Sequence, residues 1–267
     1  RPRSVDRYGK LASLFRDVLA NDIHVGAQTA GDAGRYLQIG APAHRVQVTG
    51  NIKYDLTIPP ATIDAGRAFR ERWGAARPVW IAGSTHEGEE EAALAAHELV
   101  RARFPDALLL LVPRHPQRFD AVRSLLQRRG VSFVQRSSGA VPSAAHAVCL
   151  VDTIGELQMF YAAADVAFVA GSLVPIGGHS LLEPAVLGVP ILSGPHTQNS
   201  QDVADLLTQA GGLRIVCDAR QLGAQVLECF SDPARAAAMG AAGRGAVTAN
   251  RGAVDRLVAM IEPLLRT

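Results

Sequence analysis

A glycine-rich loop, residues 171–180, carries the groups best suited to hold an anion. The apolar pattern predicts a strand over residues 166–170 before this loop, a short helix over about 181–187 after it, and a second strand over 189–193. The candidate ligand groups of the stretch are Ser172, Gly177, Gly178, His179 and Glu183. A loop between a strand and a helix offers free backbone N–H groups and the positive helix end to a phosphate.

Two interpretations of this stretch stay open. The glycines can serve only to make a tight turn, and Glu183 can serve only to complement the helix dipole. In the functional interpretation the loop binds an anion and Glu183 accepts hydrogen bonds from sugar hydroxyls. Its position favours function, because ligands of open parallel sheets bind beyond the carboxyl ends of the strands.

Ser84, Thr85 and His86 follow another apolar run, residues 78–82, at a predicted turn from strand to helix. Ser84 with Glu87 fits a capping box, and helix capping alone would account for both residues. Capping does not require Thr85 and His86. A hydroxyl and an imidazole at the start of a helix can bind a phosphate oxygen or neutralise a leaving group.

Arg114 and His115 come directly after a third predicted strand, residues 107–112, and a proline stands on either side of the pair. The prolines stiffen the backbone. A planar guanidinium held in this way suits a phosphate or a base edge. His115 fits either a binding role or a solvated one, and Arg118 is expected to be a solvated helix residue.

The turn Ile154-Gly155-Glu156 leads into a predicted helix over residues 155–164 and can present backbone groups to a nucleotide base. Asp152 or Thr153 is expected to cap that helix.

A further turn follows the strand over residues 189–193 and carries His196 and Asn199, which could face the same cleft. Alternatively, Thr197 simply caps the next helix.

The composition and the absent motifs exclude several function classes. The 267 residues carry 27 basic and 25 acidic side chains, so the chain as a whole has no charge signal for nucleic acid. No D-x-D pair, P-loop sequence or histidine cluster points to a metal-held nucleotide. The sequence GHSLL at 178–182 approaches the G-x-S-x-G elbow of serine hydrolases, but its last residue is leucine. The three cysteines have no C-x-x-C spacing and are typical of a cytosolic protein, and no apolar run reaches the roughly 18 residues of a membrane span.

The remaining pattern predicts the scaffold that positions these residues. Strands are predicted at residues 78–82, 107–112, 131–135, 148–151, 165–170, 189–193 and 213–217. Helices are predicted at 63–72, 88–103, 117–129, 155–164, 181–187, 200–210 and 219–230, and in the stretch from 233 to 266. Regular alternation of strand and helix predicts an α/β fold with a Rossmann-like, doubly wound parallel sheet.

Residues 1–50 look like one and a half further β–α units, with strands at 23–27 and 45–49 and a helix at 32–38. This is too little to bury both faces of a parallel sheet, so the piece either joins the following sheet or is the tail of another domain. Residues 51–62 have the composition of a linker. A basic amphipathic helix over residues 1–20 either packs on its own domain or rests on an anionic membrane surface.

Six motifs in series carry a resemblance to a known family. They are GNIKYD (50–55), AGSTHEGEE (82–90), PRHPQRF (113–119), DTIGEL (152–157), AGSLVPIGGHSLLEPAVLGVP (170–190) and SGPHTQN (193–199). In order and spacing they resemble the 3-deoxy-D-manno-octulosonic acid (Kdo) transferases. The resemblance implies a GT-B architecture of two Rossmann-like domains with the active site in the cleft between them. It also implies transfer of Kdo from CMP-Kdo to a lipid A precursor in lipopolysaccharide synthesis, without metal or cofactor, at the cytoplasmic face of the bacterial inner membrane.

The resemblance assigns roles to residues of this chain. Arg114 is expected to reach the cytidine or its phosphate, the turn Ile154-Gly155-Glu156 to line the base, and Glu183 to bind the ribose. Ser84, Thr85 and the loop Gly177-Gly178-His179 are expected to surround the phosphate and the Kdo. The predicted nucleotide-sugar site also includes His86, His115 and Ser172.

The chain departs from the family pattern at Ser180-Leu181, where Asn-Pro is usual, and at Ile154, where Met is usual. Gln198 and Ser200 stand where aromatic residues are usual. These changes affect fine contacts rather than the donor class.

The resemblance also assigns residues 1–50 to the end of an acceptor-binding N-terminal domain and residues 63–267 to the nucleotide-sugar domain. The last helix is a candidate to pack back on the first domain. The catalytic base is expected in the N-terminal domain that relatives carry before the point matching Arg1, so this chain is expected to bind CMP without transferring Kdo. Two other readings are a GT-B enzyme that uses a UDP-sugar, such as a transferase or epimerase, and a non-catalytic nucleotide-binding module.

Overall fold

The computed structural model describes residues 18–19 and 21–265. The chain forms two compact units, one drawn from residues 1–56 and 248–267 and the other from residues 57–247. The basic helix predicted over residues 1–20 lies outside the described residues, apart from 18 and 19. In the described part, no helix combines the length and the apolar character that crossing a bilayer requires.

The smaller unit contains a two-stranded parallel sheet of β1 (Val25–Ala27) and β2 (Val46–Val48), connected by helix α1 (Ala30–Gln38). Thr29 begins α1, because its hydroxyl accepts a hydrogen bond from the backbone N–H of Asp32 at 3.0 Å. The two strands and the helix predicted in this region are therefore present, with bounds that differ by one or two residues.

Asp55 fastens the last helix, Ala253–Ile261, within the smaller unit. Its carboxylate accepts hydrogen bonds from the backbone N–H groups of Gly252 at 2.6 Å and Val254 at 2.7 Å. Gly252 has φ 88°, a left-handed conformation that glycine adopts without strain, and it separates this helix from the one before. The helical structure predicted in the stretch from 233 to 266 is therefore present as two helices divided at Gly252.

The larger unit is built on a seven-stranded sheet in which every neighbouring pair of strands is parallel. The strands are β3 (Val79–Thr85), β4 (Leu108–Pro113), β5 (Phe133–Gln135), β6 (Val148–Leu150), β7 (Val166–Val169), β8 (Ile191–Ser193) and β9 (Leu213–Ile215). Their order across the sheet is β5-β6-β4-β3-β7-β8-β9. The predicted fold class, an α/β doubly wound parallel sheet, is confirmed.

Helices connect these strands. They are α2 (Pro60–Trp73), α3 (Glu89–Arg103), α4 (Phe119–Arg128), α5 (Leu157–Ala163), α6 (Leu182–Leu187), α7 (Gln201–Ala210), α8 (Ala219–Ser231) and α9 (Pro233–Ala249). Helix α2 begins inside the stretch predicted to be a linker, residues 51–62. Pro60 can occupy the first helical position because that position needs no N–H donor.

The core of the larger unit lies around β3, all of whose residues are buried. Trp80 stands in register with Leu109 on β4 and with Val166 on β7. Strands covered on both faces have near-continuous apolar character, and for this reason their positions were predictable from the sequence.

Trp80 is also linked to a buried histidine. Its indole N–H donates to Nδ1 of His97 at 2.9 Å, and Nε2–H of His97 donates to the carbonyl of Ala147 at 2.8 Å. Burial lowers the pKa of His97 to about 4. His97 is therefore a neutral imidazole that bridges β3 and the segment before β6.

The order in which the chain adds strands to the sheet changes sides at β3. From β3 it proceeds to β4 on one side, and it later crosses to β7 on the other side. In open parallel sheets such a switch point leaves a crevice beyond the carboxyl ends of the two flanking strands, where ligands bind.

Candidate functional site

The switch point brings together residues that the sequence predicted separately. His86 follows β3, Arg114 follows β4, and His179 belongs to the loop that follows β7. Nε2 of His86 lies 2.8 Å from Nε2 of His179, and the two rings are parallel within 5°. His115 packs edge-on against His86 with ring centroids 5.5 Å apart. The site therefore has three imidazoles and an exposed guanidinium at the mouth of the sheet.

The environment disfavours extra positive charge on the histidine pair. Burial lowers the pKa of His179 to about 4, with further lowering by His86 and Arg114. Burial is also the main cause of the lowered pKa of His86, while Glu89 acts in the opposite sense. Both rings are neutral at pH 7. Within the described residues, no three His, Cys, Asp or Glu side chains come together as metal ligands would.

Ser84 does not cap a helix. It lies at the end of β3 with φ 61°, at a register shift between β3 and β4, and helix α3 begins five residues later with Gly88 before it. The capping box predicted for Ser84 and Glu87 is therefore wrong. A left-handed conformation is strained for serine, and β-bulges next to active sites re-aim side chains. Ser84 is itself buried, with 5% of its surface exposed.

The carboxylate of Glu89 fixes the backbone of two turns at the site. The carboxylate is fully buried and accepts hydrogen bonds from four backbone N–H groups. The donors are Gly171 at 2.7 Å, Ser172 at 2.9 Å, Leu173 at 2.9 Å and His86 at 3.1 Å. Glu89 on α3 thus ties the loop after β7 to the turn after β3.

This arrangement uses several of the N–H groups that the loop was expected to offer to an anion. Besides the four donors held by Glu89, the N–H of Gly178 donates to the carbonyl of Gly171 at 2.7 Å. The N–H of His179 donates to Ala170 at 3.3 Å. These backbone donors are already occupied, so the side chains at the switch point are the charged groups that an anion would meet.

Glycine is required at position 171 by both conformation and space. Its φ is 71°, and a Cβ there would stand 2.8 Å from Cδ2 of His179. Any larger residue would push the ring of His179 away from His86. Gly177 and Gly178 also have positive φ, and Asn199 holds this turn through its side-chain amide, which donates to Ile176 and Gly178 carbonyls at 3.2 Å.

Two predicted ligand groups are turned inward. The Thr85 hydroxyl is fully buried and donates to Glu90 at 3.1 Å. The Ser172 hydroxyl is fully buried as well; it donates to the carbonyl of Val169 at 2.7 Å and accepts from the N–H of Gly194 at 2.7 Å. These hydroxyls hold the ends of β3 and β7 in place and do not face the crevice.

Arg118 is not the solvated residue that the sequence suggested. Its guanidinium bonds to the fully buried carboxylate of Glu90, with Nε 3.2 Å from one oxygen and Nη2 3.1 Å from the other. Burial raises the pKa of Glu90 and the bonds to Arg118 oppose this change. The ion pair with Glu90 holds the Arg118 guanidinium near the histidines, where it is a second cation besides Arg114.

The turn that was predicted to line a base is held by its flanking carboxylates. Asp152 accepts hydrogen bonds from the N–H and hydroxyl of Ser137 at 2.8 and 2.6 Å, so it does not cap α5. Glu156 accepts from Arg136 at 2.8 Å and also from the Thr153 hydroxyl. Between these anchors Ile154 is 70% exposed and Gly155 has φ 85°. The turn is therefore fixed at both ends and open at its tip.

Glu183 lies at the start of α6, half-buried, and accepts a hydrogen bond from the Gln158 amide at 3.0 Å. In the part of the chain that the structure describes, the other carboxylate oxygen has no hydrogen-bond partner, so it is a candidate to accept from a sugar hydroxyl. Thr197 does not cap α7 through its side chain; its hydroxyl donates to the Gln201 side chain at 3.0 Å.

A cavity of about 460 Å³ lies at the other, amino-terminal end of the sheet. Its lining includes Pro78, Asp165 and Pro190, which directly precede strands. Its charged groups, Arg70 and Asp165, bond to each other at 2.9 Å. None of the residues predicted to bind a ligand lines this cavity, so the chemistry favours the switch point instead.

The sequence did not single out Glu89 and Glu90 as determinants of the site. The acidic run at the start of α3 was visible, but it has an ordinary explanation in the helix dipole. Three of the four partners of Glu89 are more than 80 residues away along the chain, and no local pattern identifies such partners.

Comparison with known proteins gives one consistent family. The sequence model described as "3-Deoxy-D-manno-octulosonic-acid transferase (kdotransferase)" matches residues 1–56. The 3-deoxy-D-manno-octulosonic acid transferase of Haemophilus influenzae is 37% identical over 264 residues, which is 98% of this chain and 62% of that protein. The chain spans about three fifths of the length of the curated relatives it matches.

Two solved structures are similar. The C-terminal CMP-Kdo binding domain of WaaA from Acinetobacter baumannii is 34% identical, with a TM-score of 0.67, and the match covers 70% of this chain and 98% of that one. WaaG, a glycosyltransferase involved in lipopolysaccharide biosynthesis, is 16% identical with a TM-score of 0.52, covering 88% of this chain and 61% of that one. The second likeness concerns the fold alone, and it agrees with the predicted GT-B architecture.

Proposed function

The chain belongs to the 3-deoxy-D-manno-octulosonic acid (Kdo) transferase family, and from this premise we propose that its larger unit binds the donor CMP-Kdo. The whole protein then transfers Kdo to a lipid A precursor in lipopolysaccharide synthesis. Its place is the cytoplasmic face of the bacterial inner membrane, where such an acceptor is available. No cofactor or metal takes part.

The observation that carries the proposal is the convergence of Arg114, His86 and His179 at the switch point of the sheet. A nucleotide phosphate is an anion, and charged or polar side chains that converge in such a crevice favour it. The exposed turn around Gly155 and the half-buried carboxylate of Glu183 lie on the following elements, after β6 and β7. They are the proposed contacts of the base and of the ribose.

The reaction follows from the chemistry of the donor. A sugar hydroxyl of the acceptor attacks the anomeric carbon of Kdo, the bond from that carbon to the phosphate oxygen breaks, and CMP leaves with the electron pair. The site contributes stabilisation of the negative charge that develops on the phosphate, from Arg114 and the histidines. It also fixes the donor relative to the acceptor. We assign the catalytic base to no residue of this chain.

Nucleotide titration tests the donor class. CMP is expected to bind the chain more tightly than UDP does. Arg114→Ala is expected to weaken CMP binding roughly ten- to hundredfold, because a charged hydrogen bond contributes about 1.5–3 kcal/mol. Glu183→Ala is expected to weaken it less. Arg128→Ala, which changes an exposed arginine on α4, serves as the matched control.

Tighter binding of UDP would overturn the donor assignment and favour another GT-B enzyme. An unchanged CMP affinity in Arg114→Ala would overturn the assignment of the site. Transfer to a lipid A precursor is to be assayed with a longer protein. That protein must also contain the region that is present in the relatives and not covered by this chain. Absence of transfer there, with CMP binding intact, would favour a non-catalytic nucleotide-binding module.

A further inference from the structure

The contact between His86 and His179 sets a condition on the protons of the site. Their Nε2 atoms are 2.8 Å apart. A hydrogen bond between two imidazole nitrogens needs one N–H donor and one bare nitrogen, because two N–H groups would repel each other. In this geometry the two Nε2 atoms share one hydrogen, and burial, which lowers the pKa of both histidines, keeps both rings neutral at pH 7.

The charged and titratable groups that face the pair come from several elements. Arg114 and His115 follow β4, Arg118 ends the short turn before α4, and Glu89 begins α3. The two arginines and His115 lower the pKa of His86, burial being the larger cause, and Glu89 opposes them. The pair is thus neutral without a ligand although it sits among cations.

A bound phosphate would shift the protonation equilibrium of the histidine pair towards the charged form. An anion a few ångströms from an imidazole favours the charged form of the ring. The same contact would give each Nε2–H an acceptor other than the partner ring. The second proton can then enter without placing two donors face to face.

We propose that the His86–His179 pair takes up one proton from solvent when the phosphate of a cytidine nucleotide binds at the switch point. This inference rests on the proposed function, because it takes the ligand to be a cytidine nucleotide. The pair separates in the bound state, and both rings donate to the phosphate. Positive charge at the site is therefore acquired with the ligand rather than present beforehand.

The inference gives a reason why several backbone N–H groups of the loop are used inside the protein. Glu89, Gly171 and the bonds of Gly178 and His179 use the backbone donors to hold the ring of His179 against His86. The loop positions a titratable pair, and the pair supplies the charge.

Calorimetry of CMP binding to the full chain at pH 7, in two buffers with different ionisation enthalpies, measures the protons taken up. We expect close to one proton per CMP. Because CMP has an ionisation of its own near pH 6, a methyl ester of CMP, which lacks that ionisation, is the second probe. With this ester the affinity should rise by up to tenfold for each unit of pH lowered from 8 to 6.

His86→Gln and His179→Gln should each remove the proton uptake, whereas His44→Gln, at an exposed histidine of the smaller unit, should leave it unchanged. Should either variant bind too weakly to measure, the ring nitrogen chemical shifts of the unchanged protein decide, since the pair should gain one charge in the complex and both Nε2 atoms should carry a hydrogen.

Four results would count against the inference. CMP binding without proton uptake would overturn it and leave the proposed function standing. Uptake that persists in both variants, or rings that stay neutral in the complex, would overturn it too. No binding of CMP by the unchanged chain would overturn the proposed function and this inference together.

Discussion

Glu89→Gln tests whether one buried carboxylate holds the site together. In the structure one oxygen of Glu89 accepts from Ser172 and Leu173, and the other accepts from Gly171 and His86. Glutamine keeps one acceptor oxygen and replaces the other with an NH₂ group. Two backbone N–H groups then face a donor instead of an acceptor.

The cost follows from those two groups. A buried donor left without a partner costs about 1–3 kcal/mol, so the substitution is expected to destabilise the larger unit by about 2–6 kcal/mol. Domains of this kind are stable by only about 5–15 kcal/mol. The variant should therefore fold but melt at least about 4 °C lower, and it should bind CMP more weakly because the loop loses its fixed shape.

Urea unfolding and CMP titration measure the two effects. Glu98→Gln is the matched control, because Glu98 lies on the same helix with its side chain 69% exposed and should change stability by less than about 0.5 kcal/mol. If Glu89→Gln unfolds at the same urea concentration as the unchanged protein, the four hydrogen bonds do not have the role we give them. Lower stability with unchanged CMP affinity would show that the hydrogen bonds of Glu89 stabilise the fold without affecting ligand binding.

Two further predictions concern other parts of the chain. Because His97 has a folded pKa of about 4, below its ordinary 6.5, the unfolded chain takes up its proton first, and stability present above pH 6.5 is lost as the pH falls towards 4. His97→Gln should remove this pH dependence of the unfolding free energy, which amounts to up to roughly 3 kcal/mol over that range. An unchanged pH dependence would contradict the assignment. Asp55→Ala should destabilise the last helix of the smaller unit by about 1–2 kcal/mol, since it removes a cap. Amide hydrogen exchange at Gly252 and Val254 should then accelerate, and unaltered exchange at both would show that other contacts hold the helix start.

Much of the scaffold was predictable, for a local reason. Strands such as β3 and β7 are buried on both faces, so almost every residue in them is apolar and the runs stand out in the sequence. The residues that follow such strands, His86 and Arg114 among them, must gather at one edge of a parallel sheet. Their proximity to His179 was therefore an expectation that needed only the strand order.

The inner hydrogen bonds of the site were not predictable in the same way. Thr85 and Ser172 look like ligand groups because hydroxyls after strands often are, yet both donate inside the protein. The capping box at Ser84 failed because the serine has φ 61° and continues β3 past the expected end of the strand. Backbone angles at one residue depend on tertiary packing, and a sequence pattern does not report them.

The sequence by itself determined the kind of sheet, the turns that carry polar groups and the family to which the chain belongs, because each of these depends on residues close together along the chain. Tertiary structure alone decided which groups face a ligand. Glu89 shows the reason: its four donors come from the turns after β3 and β7, and only the folded sheet brings them to one carboxylate. Once those donors are occupied, side chains must carry the charge that an anion needs.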